Sequence, residues 1–236
     1  MLRNSEDFWR ETWGEHMPLY RSRPPRQGMY LELLFPEKSW TFLELAAGSM
    51  RDANYLAERG YQVTGSDYVP EVVSSAREAY RDSRLETRVI DAFDTKVADD
   101  TFDVSYHNGL LICFSSDSDI EALVREQARI TRKYMVATVP CAYHQEQRRQ
   151  FAELAPQNPI YDIRWLTLDD ISRFLAPYGC TKVYPFGGRL DSRLLPGRSF
   201  GWLPLCVRRW VYRSLCPHQR LRRWKKIIAV TQVGDD

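Results

Sequence analysis

The chain has 236 residues, of which 44% are hydrophobic, 27% charged and 13% aromatic. That aromatic content excludes a mainly disordered chain, while 12 Gly and 5 Cys exclude collagen-like and disulfide-scaffold classes. The net charge of +2 hides an asymmetry: Arg189 to Lys226 carries eleven basic residues and one acid, Asp191, leaving 22 basic against 30 acidic residues elsewhere.

In chain order, residues 1–35 read as two aromatic-rich helices broken at Pro24-Pro25, and Pro36 stops the second. Trp40 to Leu45 is a short apolar run with the character of a buried strand, ending in the small-residue turn Ala46-Ala47-Gly48-Ser49. A helical pattern runs from Arg51 to Glu58, and Gly60 stands where a helix-ending glycine belongs. Tyr61 to Ser66 predicts a second strand, closed by Asp67, and Pro70 opens a helix to residue 80. Thr87 to Ile90 and Phe102 to Tyr106 predict two more strands. Helix 117–131, strand 134–139, helix 167–178, strand 181–186 and a last strand from Lys226 to Val233 follow. No apolar run approaches the ~20 residues of a membrane span, and MLRNSEDFWRE lacks a signal-peptide core. The five cysteines include no Cys-x-x-Cys pair, and we expect reduced thiols in a cytoplasmic protein without a metal site.

Strands alternating with helices, each strand an apolar run, predict an α/β fold: a doubly wound, seven-stranded, mostly parallel sheet with the last strand antiparallel. In such sheets ligands collect at the carboxyl ends of the strands. Those ends carry Glu44 to Asp52, Asp67, Asp91-Ala92 and His107 to Leu110. The turn at Ala46–Ser49 lets a ligand touch backbone. Asp67 offers two oxygens to the two hydroxyls of a ribose, and Asp91 can accept from an exocyclic amine. The dinucleotide and phosphate-loop fingerprints are absent. Glu44 would repel a pyrophosphate and suits a ligand with an ammonium group, such as S-adenosylmethionine.

Leu43 to Ser49, Gly65-Ser66-Asp67-Tyr68, Ile90-Asp91-Ala92, and Phe102-Asp103-Val104 with Asn108-Gly109-Leu110 resemble the ordered motifs of class I S-adenosylmethionine-dependent methyltransferases over about residues 38–186 and the last strand. The resemblance implies a Rossmann-like fold and cofactor-binding roles. Glu44 would orient the turn or reach the ammonium through water, and Ala46 and Gly48 would touch the methionine moiety by backbone. Asp67 would hold the ribose, with Tyr68 beside the adenine. Asp91 would accept from the adenine amine, Ala92 would donate to the adenine by its backbone, and Asn108 would line the tail near the reacting methyl. Ala46 replaces the first motif glycine and Met50 the last. A positive φ is not required of Ala46, and Met50 is expected to narrow the pocket or place a thioether near the ligand. Residues 1–37 would form a helical lid and 38–236 the main domain, with a basic substrate-side insertion at about 188–225.

An alcohol acceptor needs a general base within hydrogen-bond reach, whereas a phenol or carboxylate needs little beyond positioning. The candidates are His144, His107 and His16, with Tyr20 and Tyr143 as alternatives; His218 looks remote. The expected activity is methyl transfer to O or N of a small molecule, with the oligomeric state open. The basic segment, mixing apolar bulk with Arg at helical spacing, leaves several readings standing. It is a solvated face, a grip on an anionic substrate, or the footprint of a tRNA or lipid methyltransferase on nucleic acid or membrane. A non-catalytic cofactor-binding protein is a further alternative.

Overall fold

The computed structural model describes residues 4–189, 191–215 and 221–234. His218 and Cys216 lie outside the described residues. Helices α1 (Glu6–Ser22) and α2 (Arg26–Leu34) precede a series of β1 (Thr41–Glu44), α3 (Arg51–Glu58), β2 (Gln62–Asp67), α4 (Pro70–Ala79), β3 (Glu86–Val89), β4 (Phe102–Asn108), α5 (Asp117–Arg129) and β5 (Thr131–Pro140). Then come α6 (Gln145–Leu154), α7 (Leu168–Leu175), β6 (Gly179–Phe186), α8 (Leu205–Arg213) and β7 (Lys226–Val233). The sheet order is β3-β2-β1-β4-β5-β7-β6. β1 through β5 pair in parallel, and β7 runs antiparallel between β5 and β6.

Alternation along each strand builds the two faces. Phe42, Val104, Val136, Ile228 and Val230 join the core beneath α2, α3 and α8. Their neighbours Leu43, Met135, Ala137, Ile227 and Ala229 join the core beneath α5 and α7. Local signals fix the helix ends. α3 closes in a Schellman motif, with Tyr61 N donating to Leu56 O at 3.1 Å, Gly60 N to Ala57 O at 3.0 Å, and Gly60 at φ 86. Thr167 and Asp170 form a capping box on α7.

Two expectations need correction. α2 is not part of a lid: Tyr30, Leu31 and Leu33 are fully buried, and α2 packs on α3 and α8 as a layer of the main core. Of these two helices, α1 is the one that lines the cavity at the strand tips. The Arg residues of α8 are not simply a solvated face either: Arg208 is buried, Arg209 half-buried and Arg213 exposed, and all three hold carbonyls. Arg208 donates to Leu194 O and Leu203 O, both at 3.0 Å, Arg209 to Glu32 O at 3.0 Å, and Arg213 to Leu34 O. The last two serve carbonyls at the end of α2 that lack an intrahelical partner. Smaller differences lie at element ends: β5 starts three residues earlier than expected, and the helix from Leu168 stops at Leu175, with a 3-10 turn to Tyr178. α6 has no buried residue, so no apolar stripe announces it.

Candidate functional site

The turn after β1 is built from backbone that side chains disfavour. Ala46, Gly48 and Met50 sit at φ 48, 51 and 52. The left-handed region costs a non-glycine residue roughly 1–2 kcal/mol, so the expectation that Ala46 escapes positive φ is corrected. The turn is held from below. Gly48 N donates to Asp67 Oδ2 at 3.0 Å, and Ala47 N to Ser66 O at 2.8 Å. Met50 offers α3 no side-chain cap, and Glu44 replaces it: its Oε2 accepts from Ala53 N at 2.9 Å and from the Tyr106 hydroxyl at 3.4 Å. Burial and the neighbouring Asp52 carboxylate push the Glu44 carboxyl well above its usual range. Glu44 thus orients the turn and does not line the cavity above it. Met50 is also corrected: it is fully buried against Val73 and Ala76, and a Cβ on Gly65 would lie 3.0 Å from its sulfur. Its thioether fills the space beneath the turn, away from the ligand side.

Above the strand tips lies a cavity of about 850 Å³, toward the upper end of the roughly 300–1,000 Å³ of small-molecule sites. Ala46, Asp67, Tyr68, Asp91, Ala92 and Asn108 line it. The cavity therefore gathers residues from the tips of four strands. Asp67 Oδ1 also accepts from Val69 N at 3.1 Å, and with a further backbone bond from Tyr68 three main-chain groups hold the carboxylate at the tip of β2. Burial pushes the Asp67 carboxyl up to about 6. Asp91 Oδ1 accepts from Phe93 N at 2.9 Å, and Asp91 is exposed.

Helix α1 roofs the cavity with Phe8, Trp9, Trp13 and Tyr20. It is pinned by Arg21 Nη2 on Ser75 Oγ at 2.9 Å, and its amino end is tied by Asn4 Nδ2 on Cys113 O at 2.8 Å and by Tyr68 on Asn4 O at 3.1 Å. Trp13 covers Gly48 so closely that a Cβ there would lie 2.0 Å from the indole ring. Gly48 is thus needed by the lid, and Ala46 is the turn residue that faces the open space.

The base candidates separate. Tyr20 and His144 line the cavity. His144 caps α6, its Nδ1 accepting from Gln147 N at 3.1 Å, so the neutral ring carries its proton on Nε2 and presents a donor. His107 is corrected: it lies within β4, fully buried, off the cavity, and burial pushes its pKa down to about 3. His16 is likewise off the cavity, with Nε2 3.1 Å from Asn158 Nδ2. Tyr143 faces a shallow neighbouring depression with Arg149 and Arg222, its hydroxyl accepting from Leu168 N at 3.5 Å. Four cations line the wall, Arg23, Arg51, Lys225 and Lys226, none of them among the cofactor residues read from sequence. The pointer to Lys226 is the antiparallel sense of the last strand. The first residue of such a strand stands at the same edge as the last residues of its parallel neighbours.

Residues 43–134 match the family model described as a methyltransferase domain. The solved structure of a putative methyltransferase from Haloferax volcanii, in complex with the Trm112 methyltransferase activator, superposes with a TM-score of 0.62 at 16% identity, covering 100% of this chain and 99% of that one. A possible histamine N-methyltransferase from Thermotoga maritima gives 0.62 at 13% identity, covering 97% and 98%. The magnesium protoporphyrin IX methyltransferase of Synechocystis, solved with SAH bound, gives 0.51 at 12% identity, covering 95% and 82%. Among curated proteins, none matches the chain.

Proposed function

We propose that this chain is a class I S-adenosylmethionine-dependent methyltransferase, a reading supported by the match of residues 43–134 to a methyltransferase-domain model, and that it moves a methyl group to an oxygen or nitrogen of a small acceptor held beneath α1. One observation carries this reading: Ala46, Asp67, Asp91 and Asn108 converge from separate strand tips on one roofed cavity. When bound, S-adenosylmethionine supplies an electrophilic methyl on a sulfonium sulfur. The residues present fit that cofactor. Asp67 would accept from the ribose hydroxyls, and Tyr68 and Ala92 would flank the adenine end with Asp91 taking its amine. The backbone at Ala46 would meet the tail, and Arg51, at the head of α3, would take its carboxylate. Asn108 then stands at the methyl end. The aromatic roof of Trp9, Trp13 and Tyr20 excludes water and orients an acceptor, which is the main demand of an in-line displacement. His144 donates a hydrogen bond to the acceptor from Nε2.

Calorimetry with S-adenosylhomocysteine tests the cofactor site. Asp67→Ala is expected to weaken binding by at least about 1–3 kcal/mol, the cost of hydroxyls that lose a charged acceptor. Unchanged affinity would reject the role. Incubation with methyl-labelled cofactor and fractionated cell extract then reads the acceptor by mass. Tight cofactor binding with no labelled product in any fraction would favour a non-catalytic binding protein.

A second reading has its own observation. Phe200, Trp202, Val207 and Trp210 are exposed together on and before α8, with Trp202 and Trp210 at 77% and 72%. Apolar side chains outward on a basic segment suit the surface of an anionic membrane, where an acceptor lipid would be presented.

A further inference from the structure

Lys226 opens β7, paired with Pro140 at the end of β5 and Phe186 at the end of β6. The antiparallel strand therefore delivers an ammonium to the carboxyl edge of the sheet, and Lys226 lines the cavity. Its Nζ donates to Asn108 Oδ1 at 2.8 Å and stands 5.7 Å from the centre of the Phe186 ring. Both partners are neutral. Among the described residues no carboxylate forms an ion pair with it. Arg23, Arg26 and Arg51 crowd it with like charge, and Asp52 is the carboxylate whose field offsets them. A partly buried cation whose hydrogen-bond partner is neutral is held at least cost where a ligand supplies further negative charge.

We propose that Lys226 anchors an anion-binding subsite for the methyl acceptor, which therefore carries a carboxylate or phosphate group. This rests on the methyl-transfer reading above. The position in the sheet separates acceptor from cofactor. The residues suited to the cofactor sit on β1 to β4, whereas β7 lies beyond β5. The cavity's own carboxylates stand elsewhere: Asp67 at the tip of β2, Asp91 after β3 and Glu146 in the first turn of α6. Asn108 links the two halves. It is the residue at the methyl end, and it holds the ammonium that holds the acceptor, so an anion on Lys226 brings the rest of its molecule to the transfer point. Phe151 and Tyr161 extend the aromatic wall on this side, which suits an aromatic acid as probe.

The test is calorimetry on the full-length protein saturated with S-adenosylhomocysteine, with benzoate, phenyl phosphate and benzyl alcohol as probes. Wild type is expected to bind one or both anions at least tenfold more tightly than benzyl alcohol. The stronger anion distinguishes a carboxylate from a phosphate acceptor. Lys226→Met should lose at least tenfold for the anion while S-adenosylhomocysteine affinity stays within twofold, and Lys226→Arg should recover most of the loss. Equal anion affinity in wild type and Lys226→Met would overturn the subsite. So would a loss that falls on S-adenosylhomocysteine instead, or a wild type that does not discriminate benzoate and phenyl phosphate from benzyl alcohol. Should Lys226→Met fail to fold, that wild-type discrimination and the Arg variant decide. Failure of wild type to bind S-adenosylhomocysteine at all would strike the methyl-transfer reading, and the probe comparison would still judge the anion site.

Discussion

Asp67 and Glu44 are both buried carboxylates at the ends of adjacent strands, yet their surroundings assign them different work. Asp67 faces the cavity, and burial lifts its pKa from 3.8 to about 6. The folded state thus holds the proton more tightly than the unfolded chain, so the stability this group contributes is present below 3.8 and is lost as pH rises through about 6. Ribose hydroxyls donate to the ionised form, which gives cofactor binding the opposite slope. S-adenosylhomocysteine affinity should fall about tenfold from pH 7 to pH 5 in wild type, as protonation of one group with that pKa requires. Asp67→Asn should be weak and flat over the same range. A wild-type profile with no such fall would contradict the assignment. Glu44 faces the head of α3 instead, where Glu44→Ala leaves Ala53 N without its acceptor at a cost of about 1–3 kcal/mol. Glu44→Gln keeps an acceptor oxygen and removes a charge that burial disfavours, so urea unfolding should find it within about 1 kcal/mol of wild type.

At the scale of elements, the lid and the turn beneath it are one unit. Trp13 takes the space a Cβ would need on Gly48, and Gly48 also adopts positive φ. Gly48→Ala should cost at least about 1–2 kcal/mol from backbone alone, and more from the indole it displaces. In a Trp13→Ala background only the backbone part should remain, so a double-mutant cycle in urea should show coupling between the two sites. Additive effects would mean that α1 does not rest on the turn in solution. α8 follows a different logic, with Arg208 turned inward on carbonyls and Trp210 outward. Arg208→Met strands Leu194 O and Leu203 O, two acceptors at about 1–3 kcal/mol each. The melting temperature should drop by more than for Arg198→Met, whose side chain is exposed.

Across the whole molecule, legibility followed the regularity of the physics. The strands were readable because a sheet covered on both faces demands apolar residues on both. Trp40 to Leu45 shows this, as does the centre of β5, where Met135, Val136 and Ala137 serve opposite cores in turn. The strand-end acids were readable because a parallel sheet sends its ligands to one edge. The place of α2 was not, since helical aromatic sequence looks alike over a site and in a core. Nor was the hold of Arg208, Arg209 and Arg213 on main-chain carbonyls, because carbonyl partners leave no mark in side-chain patterning.

The charge asymmetry, by contrast, was visible from the start, and the structure adds what stands beside it. The exposed Trp202 and Trp210 are set in a segment with no acid between Ser192 and Lys226, in which Arg193, Arg198, Arg213, Arg222, Arg223 and Lys225 are exposed. Tryptophan at a bilayer interface places its ring among the headgroups, and basic residues near it add attraction to anionic lipid that salt screens. The protein should therefore co-sediment with vesicles containing phosphatidylglycerol and not with pure phosphatidylcholine, and added salt should release it. Trp202→Ala with Trp210→Ala should reduce binding at least tenfold while leaving S-adenosylhomocysteine affinity unchanged, since neither residue lines the cavity. Equal binding to both vesicle types would remove the electrostatic part of the argument. Salt-sensitive retention of tRNA without any vesicle binding would assign the basic segment to nucleic acid instead.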